Sequence, residues 1–311
     1  SQRVIYGSES FPMEAFENWL EIEALDHVIG DFVWTSLDYL GEAGIGRIYY
    51  EGENASFCGD YPWHQANCGD LDLCGGKRPQ SYYRDILWRR GDRLYLAVHA
   101  PVASGRKPVP TRWAWPDVRP SWTWPGEEGR PLQVDVYSAC AEVELFLNGR
   151  SLGRKPAGRE QRHIASFTVP YEAGTLTAVG YDGGARAAET ALATAGPPVR
   201  LRLTPDRRII GAVRGDLSFV TVEVLDAEGR VHPDASPRIS FGVAGPGRLA
   251  AVGNADPRST ESYRGNERRA WRGRCLAVLA SDGTPGEIRL QARADGLAGD
   301  EIVVEARREG P

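Results

Sequence analysis

Apolar positions follow two different rhythms along this chain, and the change falls near residue 130. In the first part, Phe11, Ala15, Phe16, Trp19, Leu20, Ile22 and Leu25 recur at helical spacing. That spacing predicts a helix from Ser10 to Leu25, with Ser10 as N-cap and Pro12 in the first turn. Two short apolar runs flank it. One is Arg3 to Gly7; the other places Phe32, Val33, Trp34 and Leu37 between Gly30 and the cluster Gly41, Gly44, Gly46. Both read as strands buried on both faces, the kind found in parallel sheets. The order strand, helix, strand is a right-handed βαβ unit. Ile48 to Asp60 reads as a long polar loop, a second helix is expected from Gln80 to Trp88, and Leu94 to Val98 is a strand leading toward the next module.

Beyond residue 131 the period is two. The runs at 134–138, 143–149, 167–171 and 176–184 alternate or carry short apolar stretches, and Asn148-Gly149 is a strong type I′ hairpin signal. Short strands at this spacing predict an immunoglobulin-like β-sandwich. Gly196-Pro197-Pro198 marks a boundary, and the runs at 201–205, 219–226, 239–245, 275–281 and 287–294 predict a second sandwich. Between the two rhythms, 101–131 is rich in proline (Pro101, Pro108, Pro110, Pro116, Pro120, Pro125, Pro131) and reads as a linker. Its Trp113, Trp115, Trp122 and Trp124 fit either a sugar-stacking platform or packing between domains. The arginine-rich insert from Asn254 to Arg274 reads as a solvated loop, with an approach to the active site or another subunit as the other reading.

Composition removes some classes of function. With 37 basic against 42 acidic residues and a net charge of −5, nothing draws the chain to nucleic acid. No stretch is long and apolar enough for a membrane span. The five cysteines, Cys58, Cys68, Cys74, Cys140 and Cys275, are odd in number and lack CxxC spacing, which disfavours a zinc site. A bridge within Cys58, Cys68 and Cys74 stays open. The sequence shows no HExxH-type metal motif, and no cofactor is expected.

Chemistry in α/β sheets gathers at the carboxyl ends of strands, so Glu9 and the segment Trp34 to Asp38 are expected to face one crevice. The run GSES at 7–10, GDFVWTSLDYLGEAGIG at 30–46 and YPWHQANCGDLDLCGGKRPQSYYRDILWR at 61–89 resemble the end of the catalytic barrel of glycoside hydrolase family 2, the β-galactosidase group. The modules that follow, including WPDVRPSWTWPG and GNADP, resemble the later β-domains of the same enzymes.

The resemblance implies the last two βα units of a (β/α)8 barrel at 1–100, the Pro/Trp-rich entry at 101–131, and immunoglobulin-like sandwiches at 132–196 and 197–311, a β-rich whole. It also implies roles. Glu9 matches the nucleophile at the end of the seventh barrel strand, and Trp34 matches the sugar-lining tryptophan of the eighth. Asp38 and Glu42 are expected to bind sugar hydroxyls. His64 is either a hydroxyl ligand or a structural histidine.

Retaining glycosidases need a second carboxyl group as acid and base, and the resemblance puts that glutamate in sequence outside this chain. The expected activity is therefore that of a retaining β-glycosidase, foremost a β-galactosidase, with this fragment inactive alone. A non-catalytic carbohydrate-binding or assembly module is the other reading. Ser10, Phe11 and Pro12 follow Glu9 where other branches of the family carry a tyrosine and a nearby histidine, which leaves the glycoside open. The expected partners are a carbohydrate substrate and the preceding part of the same enzyme, with a homo-oligomer left open. The compartment is not legible.

Overall fold

The computed structural model describes residues 3–56, 58–102, 105–109 and 111–308, so Pro110 of the proline-rich stretch lies outside the described residues. The chain is β-rich and divides into two compact units, which meet between Thr194 and Ala195.

The first unit opens with β1 (Ile5–Ser10), a one-turn 3-10 segment at Pro12–Glu14, α1 (Ala15–Ala24) and β2 (Val28–Val33). β1 and β2 pair in parallel, with Ile5 opposite Val28, Gly7 opposite Asp31 and Ser10 opposite Val33. The βαβ order read from periodicity is thus present, with two corrections. Ser10 does not cap the helix: it ends β1, and Pro12 opens the 3-10 turn that leads into α1, whose N-cap position is Glu14 without a side-chain cap. The two strands are also not buried on both faces. Ile5, Tyr6, Ile29 and Phe32 are exposed, because among the described residues the two-stranded sheet has no further strand beside it.

The remaining elements of the unit are β3 (Tyr49–Tyr50), α2 (Pro79–Leu87), β4 (Leu94–His99), β5 (Pro108–Val109), β6 (Val118–Arg119), β7 (Pro131–Ser138), β8 (Glu142–Leu147), β9 (Arg150–Pro156), a 3-10 turn at Arg159–Gln161, β10 (Ile164–Pro170), β11 (Thr175–Asp182) and β12 (Ala185–Ala193). β3 and β5 form a small antiparallel ribbon inside what reads as loop. Two four-stranded sheets, ordered β10-β7-β4-β6 and β12-β11-β8-β9, share one core. Leu94, Leu96, Val98, Val134 and Val136 from the first sheet and Val143, Leu145, Leu147, Leu176 and Ala178 from the second fill it. Asn148 and Gly149 have φ of 51° and 79°, and Leu147 pairs with Arg150, which is the backbone a two-residue hairpin with positive φ at both centres requires.

β4 therefore lies inside this sheet, paired along its length with β7. Trp122 and Trp124 are buried in the same core, where their indole N–H groups donate to the carbonyls of Glu172 (2.9 Å) and Ser121 (3.1 Å). A buried indole whose N–H is spent on backbone has no face to offer a sugar, so packing is the outcome for these two.

The other face of the β10-β7-β4-β6 sheet carries a second core, where Tyr95, Ala97 and Tyr137 meet Phe16 and Trp19 of α1 and Tyr83, Ile86 and Leu87 of α2. Arg162, just before β10, forms a two-pronged ion pair with Glu17 of α1. His163 packs edge-on against Trp19 at 5.6 Å, and its Nδ1 lies 3.0 Å from the Ser138 carbonyl, to which it donates. Burial holds the His163 imidazole below its ordinary value. A depressed histidine stabilises the fold above its unfolded pKa of ~6.5, and that contribution is lost as pH falls. Acidification from pH 8 to 5 is therefore expected to loosen α1 from the sheet, read as a change in Trp19 emission. His163→Asn, which keeps the hydrogen bond and removes the titration, should flatten that change; an equal response in the variant would contradict this account.

The second unit comprises β13 (Arg200–Pro205), β14 (Ile209–Gly211), β15 (Leu217–Leu225), β16 (Arg238–Ala244), β17 (Gly247–Gly253), β18 (Glu267–Arg269), β19 (Arg274–Ser281), β20 (Gly286–Ala294) and β21 (Leu297–Arg307). They are ordered β17-β19-β15-β13-β21-β20-β16-β18, with β14 also on β21. Val220, Val222, Val224, Ala277 and Leu279 face Ile239, Phe241, Ile288, Leu290, Ile302 and Val304 in its core. The arginine-rich insert is not wholly solvated. Arg268 is fully buried and donates to Asn254 Oδ1 (3.0 Å) and the Glu261 carbonyl (2.9 Å), so it anchors the insert from within. All five cysteines are free thiols.

Candidate active site

Parallel pairing puts the carboxyl ends of β1 and β2 side by side, and the Trp34 amide donates to the Ser10 carbonyl at 3.0 Å. Glu9 and Trp34 therefore stand at the same end of adjacent strands. The register shifts between Gly7 and Ser10, so three residues of β1 span two of β2. A bulge of this kind re-aims the side chains within it, here Ser8 and Glu9. Glu9 is exposed.

After β2 the chain bends at Trp34 and Ser36 and runs alongside a segment far away in sequence. Asp70 and Leu71 donate from their amides to the carbonyls of Thr35 (2.8 Å) and Ser36 (2.9 Å), and the Asp38 amide donates to the Leu71 carbonyl (3.0 Å). Gly69 makes this approach feasible: a Cβ there would lie 2.4 Å from the Asp38 nitrogen and 2.4 Å from the Leu71 oxygen.

Trp34, Tyr39 and Glu42 form one hydrogen-bonded chain. The Trp34 indole donates to the Tyr39 phenol at 3.2 Å, and that phenol donates to Glu42 Oε2. The Trp34 and Tyr39 rings meet edge to face with centroids 6.3 Å apart. Burial first, and the Glu42 carboxylate second, push the Tyr39 phenol above its ordinary range, so it remains a donor at any working pH. Trp34 is 38% exposed and Glu42 is exposed, which leaves an aromatic face and a carboxylate open on the side of Glu9's strand end.

Asp38 sits differently. It is 1% exposed, and both its oxygens are taken, one by the Gly69 amide (2.8 Å) and the other by the Arg78 guanidinium. Arg78 also donates to the Asn67 carbonyl (2.9 Å) and to Asn67 Oδ1 (2.8 Å). Burial pushes the Asp38 carboxyl up to about 7, against the pull of Arg78 and the Gly69 amide. Its contacts tie loops together rather than face solvent. For His64, the Nδ1 is 3.2 Å from the Pro62 carbonyl, and its own carbonyl accepts from the Gly41 amide at 3.5 Å. Asp72 accepts from the amides of Cys74 (2.8 Å) and Gly76 (2.9 Å), which is turn chemistry. Tyr39, Asn67 and Arg78 were not legible as site residues. Only the Asp-Tyr dipeptide beside Trp34 pointed to the first, and nothing in the sequence pairs Arg78 with Asp38, 40 positions earlier. Among the described residues no cluster of histidine, cysteine or carboxylate side chains is arranged to hold a metal.

Comparison with known proteins gives this geometry a family. Residues 201–303 match the model of the glycoside hydrolase family 2 C-terminal domain 5, and residues 129–188 match a domain of unknown function, DUF4982. The chain is 35% identical to the β-galactosidase BoGH2A of Bacteroides ovatus over 88% of its length, and 28% identical to a putative β-glucuronidase of Formosa agariphila over 81%. A crystal structure of a glycosyl hydrolase family 2 member from Bacteroides cellulosilyticus superimposes with a TM-score of 0.90 at 38% identity, covering 98% of this chain. These matches place the chain among proteins named as glycoside hydrolases. Within that class the chain belongs to family 2, of which it is a C-terminal portion. It spans 28% of the length of the B. ovatus relative, 21% of the F. agariphila relative and 40% of the B. cellulosilyticus chain.

Proposed function

We propose that this chain is the C-terminal part of a longer retaining β-glycosidase acting on terminal β-linked galactose. The observation that carries the reading is the parallel pairing of β1 and β2, which sets Glu9 and the open face of Trp34 at one carboxyl end. In this reading β1, α1, β2 and α2 are the last two units of a (β/α)8 barrel, and the two sandwiches are immunoglobulin-like scaffolds behind it.

The chemistry follows from the residues. The Glu9 carboxylate attacks the anomeric carbon, the glycosidic C–O bond breaks, and the departing oxygen takes a proton from a second carboxyl group supplied by the rest of the enzyme. Water then displaces Glu9, giving its proton to that same group, and configuration is retained. Trp34 offers its ring to the C–H face of the sugar, and Glu42, steadied by Tyr39, accepts from a hydroxyl. Asp38 and Arg78 hold the floor beneath them.

A neutral sugar suits this end better than a uronic acid. The open groups here, Glu9 and Glu42, are carboxylates, and Arg78 is tied to Asp38. The test is a 2-deoxy-2-fluoro-β-galactoside with a good leaving group, reacted with the full-length enzyme and read by peptide mass spectrometry. The label is expected on Glu9. A label on another carboxylate overturns the nucleophile assignment, and faster labelling by the corresponding glucuronide overturns the sugar.

A further inference from the structure

A polar cleft of about 410 Å³, lined by Arg89, Gly91, Asp92, Arg93, Ala139 and Asp182, opens at the end of α2 remote from Asp38. The first turn of α2 touches the floor of the candidate site, where Gln80 Nε2 donates to the Gly69 carbonyl at 2.7 Å and the Gly69 amide holds Asp38. The nine residues of α2 then carry the chain roughly 13 Å away.

The backbone beyond the helix builds the cleft. Arg89 and Gly91 take φ of 52° and 66°, a left-handed reversal that suits glycine at Gly91, and β4 then runs back along the helix, so that Tyr82 and Tyr95 stack with centroids 4.2 Å apart. This reversal supplies Arg89, Asp92 and Arg93. The other wall is Ala139, which follows β7, and Asp182, which ends β11. The walls are tied together. The Ala139 amide donates to the Arg93 carbonyl at 2.9 Å, and Asp182 accepts from the Ala141 amide at 2.9 Å and from the Arg93 guanidinium. The Arg93 hydrogen bond first, then the Ala141 amide and the charge of Arg89, hold the Asp182 carboxyl below its ordinary value, so it stays an acceptor.

The lining selects by charge. It brings together two guanidinium groups and two carboxylates, and among the described residues the side chains of Arg89 and Asp92 make no hydrogen bond or salt bridge. An anion would meet Asp92 and Asp182, and a cation would meet Arg89 and Arg93. A neutral molecule rich in hydroxyls avoids both penalties, because each hydroxyl can accept from a guanidinium and donate to a carboxylate. The volume lies at the low end of the roughly 300 to 1,000 Å³ of ligand pockets, which suits a molecule of monosaccharide size.

We propose that this cleft is a further ligand site, for a neutral monosaccharide or a polyol of similar size, held by hydroxyl contacts to Arg89, Asp92, Arg93 and Asp182. It shares no residue with the site of Glu9 and Trp34, and it stands whether or not Glu9 is a nucleophile.

Saturation-transfer NMR on the full-length enzyme, with free galactose, glucose and glucuronate as probes, tests this. Trp34→Ala serves as the background, because it removes the sugar face at the strand end and leaves the cleft alone. Transfer to at least one of the two hexoses is expected to persist there, and to fall about tenfold when Arg89→Asn and Asp92→Ala are added, as loss of hydrogen bonds from charged groups implies. Asparagine is chosen because it tolerates the positive φ at position 89. Three results overturn the proposal: no transfer to either hexose in the Trp34→Ala background, transfer that the two added substitutions leave unchanged, or stronger transfer to glucuronate than to both hexoses.

Discussion

Glu9→Ala in the full-length enzyme is expected to lower kcat by about 10⁴-fold or more on every galactoside, with no measurable loss of stability. The first half follows from the proposed role of Glu9: removing a nucleophile removes the covalent route itself, and such deletions cost far more than the loss of one binding contact. The second half follows from where the side chain sits. Glu9 is exposed, and its neighbour Ser10, not Glu9, provides the contact that holds Trp34 in place. Surface substitutions away from caps and buried networks stay within about 0.5 kcal/mol. Steady-state kinetics and a thermal melt check both halves. Activity within about tenfold of wild type, a barrier change of only about 1.4 kcal/mol, would show that Glu9 is not the nucleophile.

Arg78→Ala should have the largest structural effect at the site. It strands the Asp38 carboxyl, 1% exposed, and takes two donors from Asn67. Breaking a buried pair by removing one partner costs about 3 to 5 kcal/mol, because the other charge stays behind. The loss is local, and it depends on pH in a definite direction. Burial already raises Asp38 to about 7, and without Arg78 the carboxyl rises further. A carboxyl whose folded value lies above its unfolded one is most compatible with the fold when protonated, so the penalty grows as pH rises through neutrality. Hydrogen exchange at the amides of Asp38, Gly69 and Leu71 is the readout. Exchange should accelerate more at pH 8 than at pH 5, and Asp38→Asn should recover part of the protection in the double variant. Unchanged exchange at both pH values would mean that the pair does not hold the floor.

Periodicity disclosed what is local. Phe16 and Trp19 recur on the buried side of α1, the Asn148-Gly149 turn sets the β8–β9 register, and alternation along β8 and β10 matches their buried and exposed faces. The carboxyl-end rule brought out Glu9 and Trp34 for the same reason, since it needs only strand order and direction. What stayed hidden depends on long-range pairing. Nothing near Leu94–His99 says that its partner is Pro131–Ser138, and nothing near Trp122 says that its ring meets Tyr171 edge to face, 49 residues on. The hydroxyl-binding expectation for Asp38 could not be refined from sequence either, because Arg78 and the Gly69 amide reach its two oxygens from 40 and 31 residues away. Exposure along β1 and β2 eluded the pattern as well, since apolar composition tells what a strand is suited to meet, not what covers it here.

The sheet β10-β7-β4-β6 has a hydrophobic layer on each face, and that constrains how such chains can be recombined. A graft that exchanged the sandwich at residue 100 or 131 would carry off β7 and β10 while leaving β4 or its tryptophan plug behind, and it would strip the platform on which α1 and α2 rest. Variety reached by swapping modules would therefore have to keep α1, α2 and both four-stranded sheets together, with the joint falling between Thr194 and Ala195.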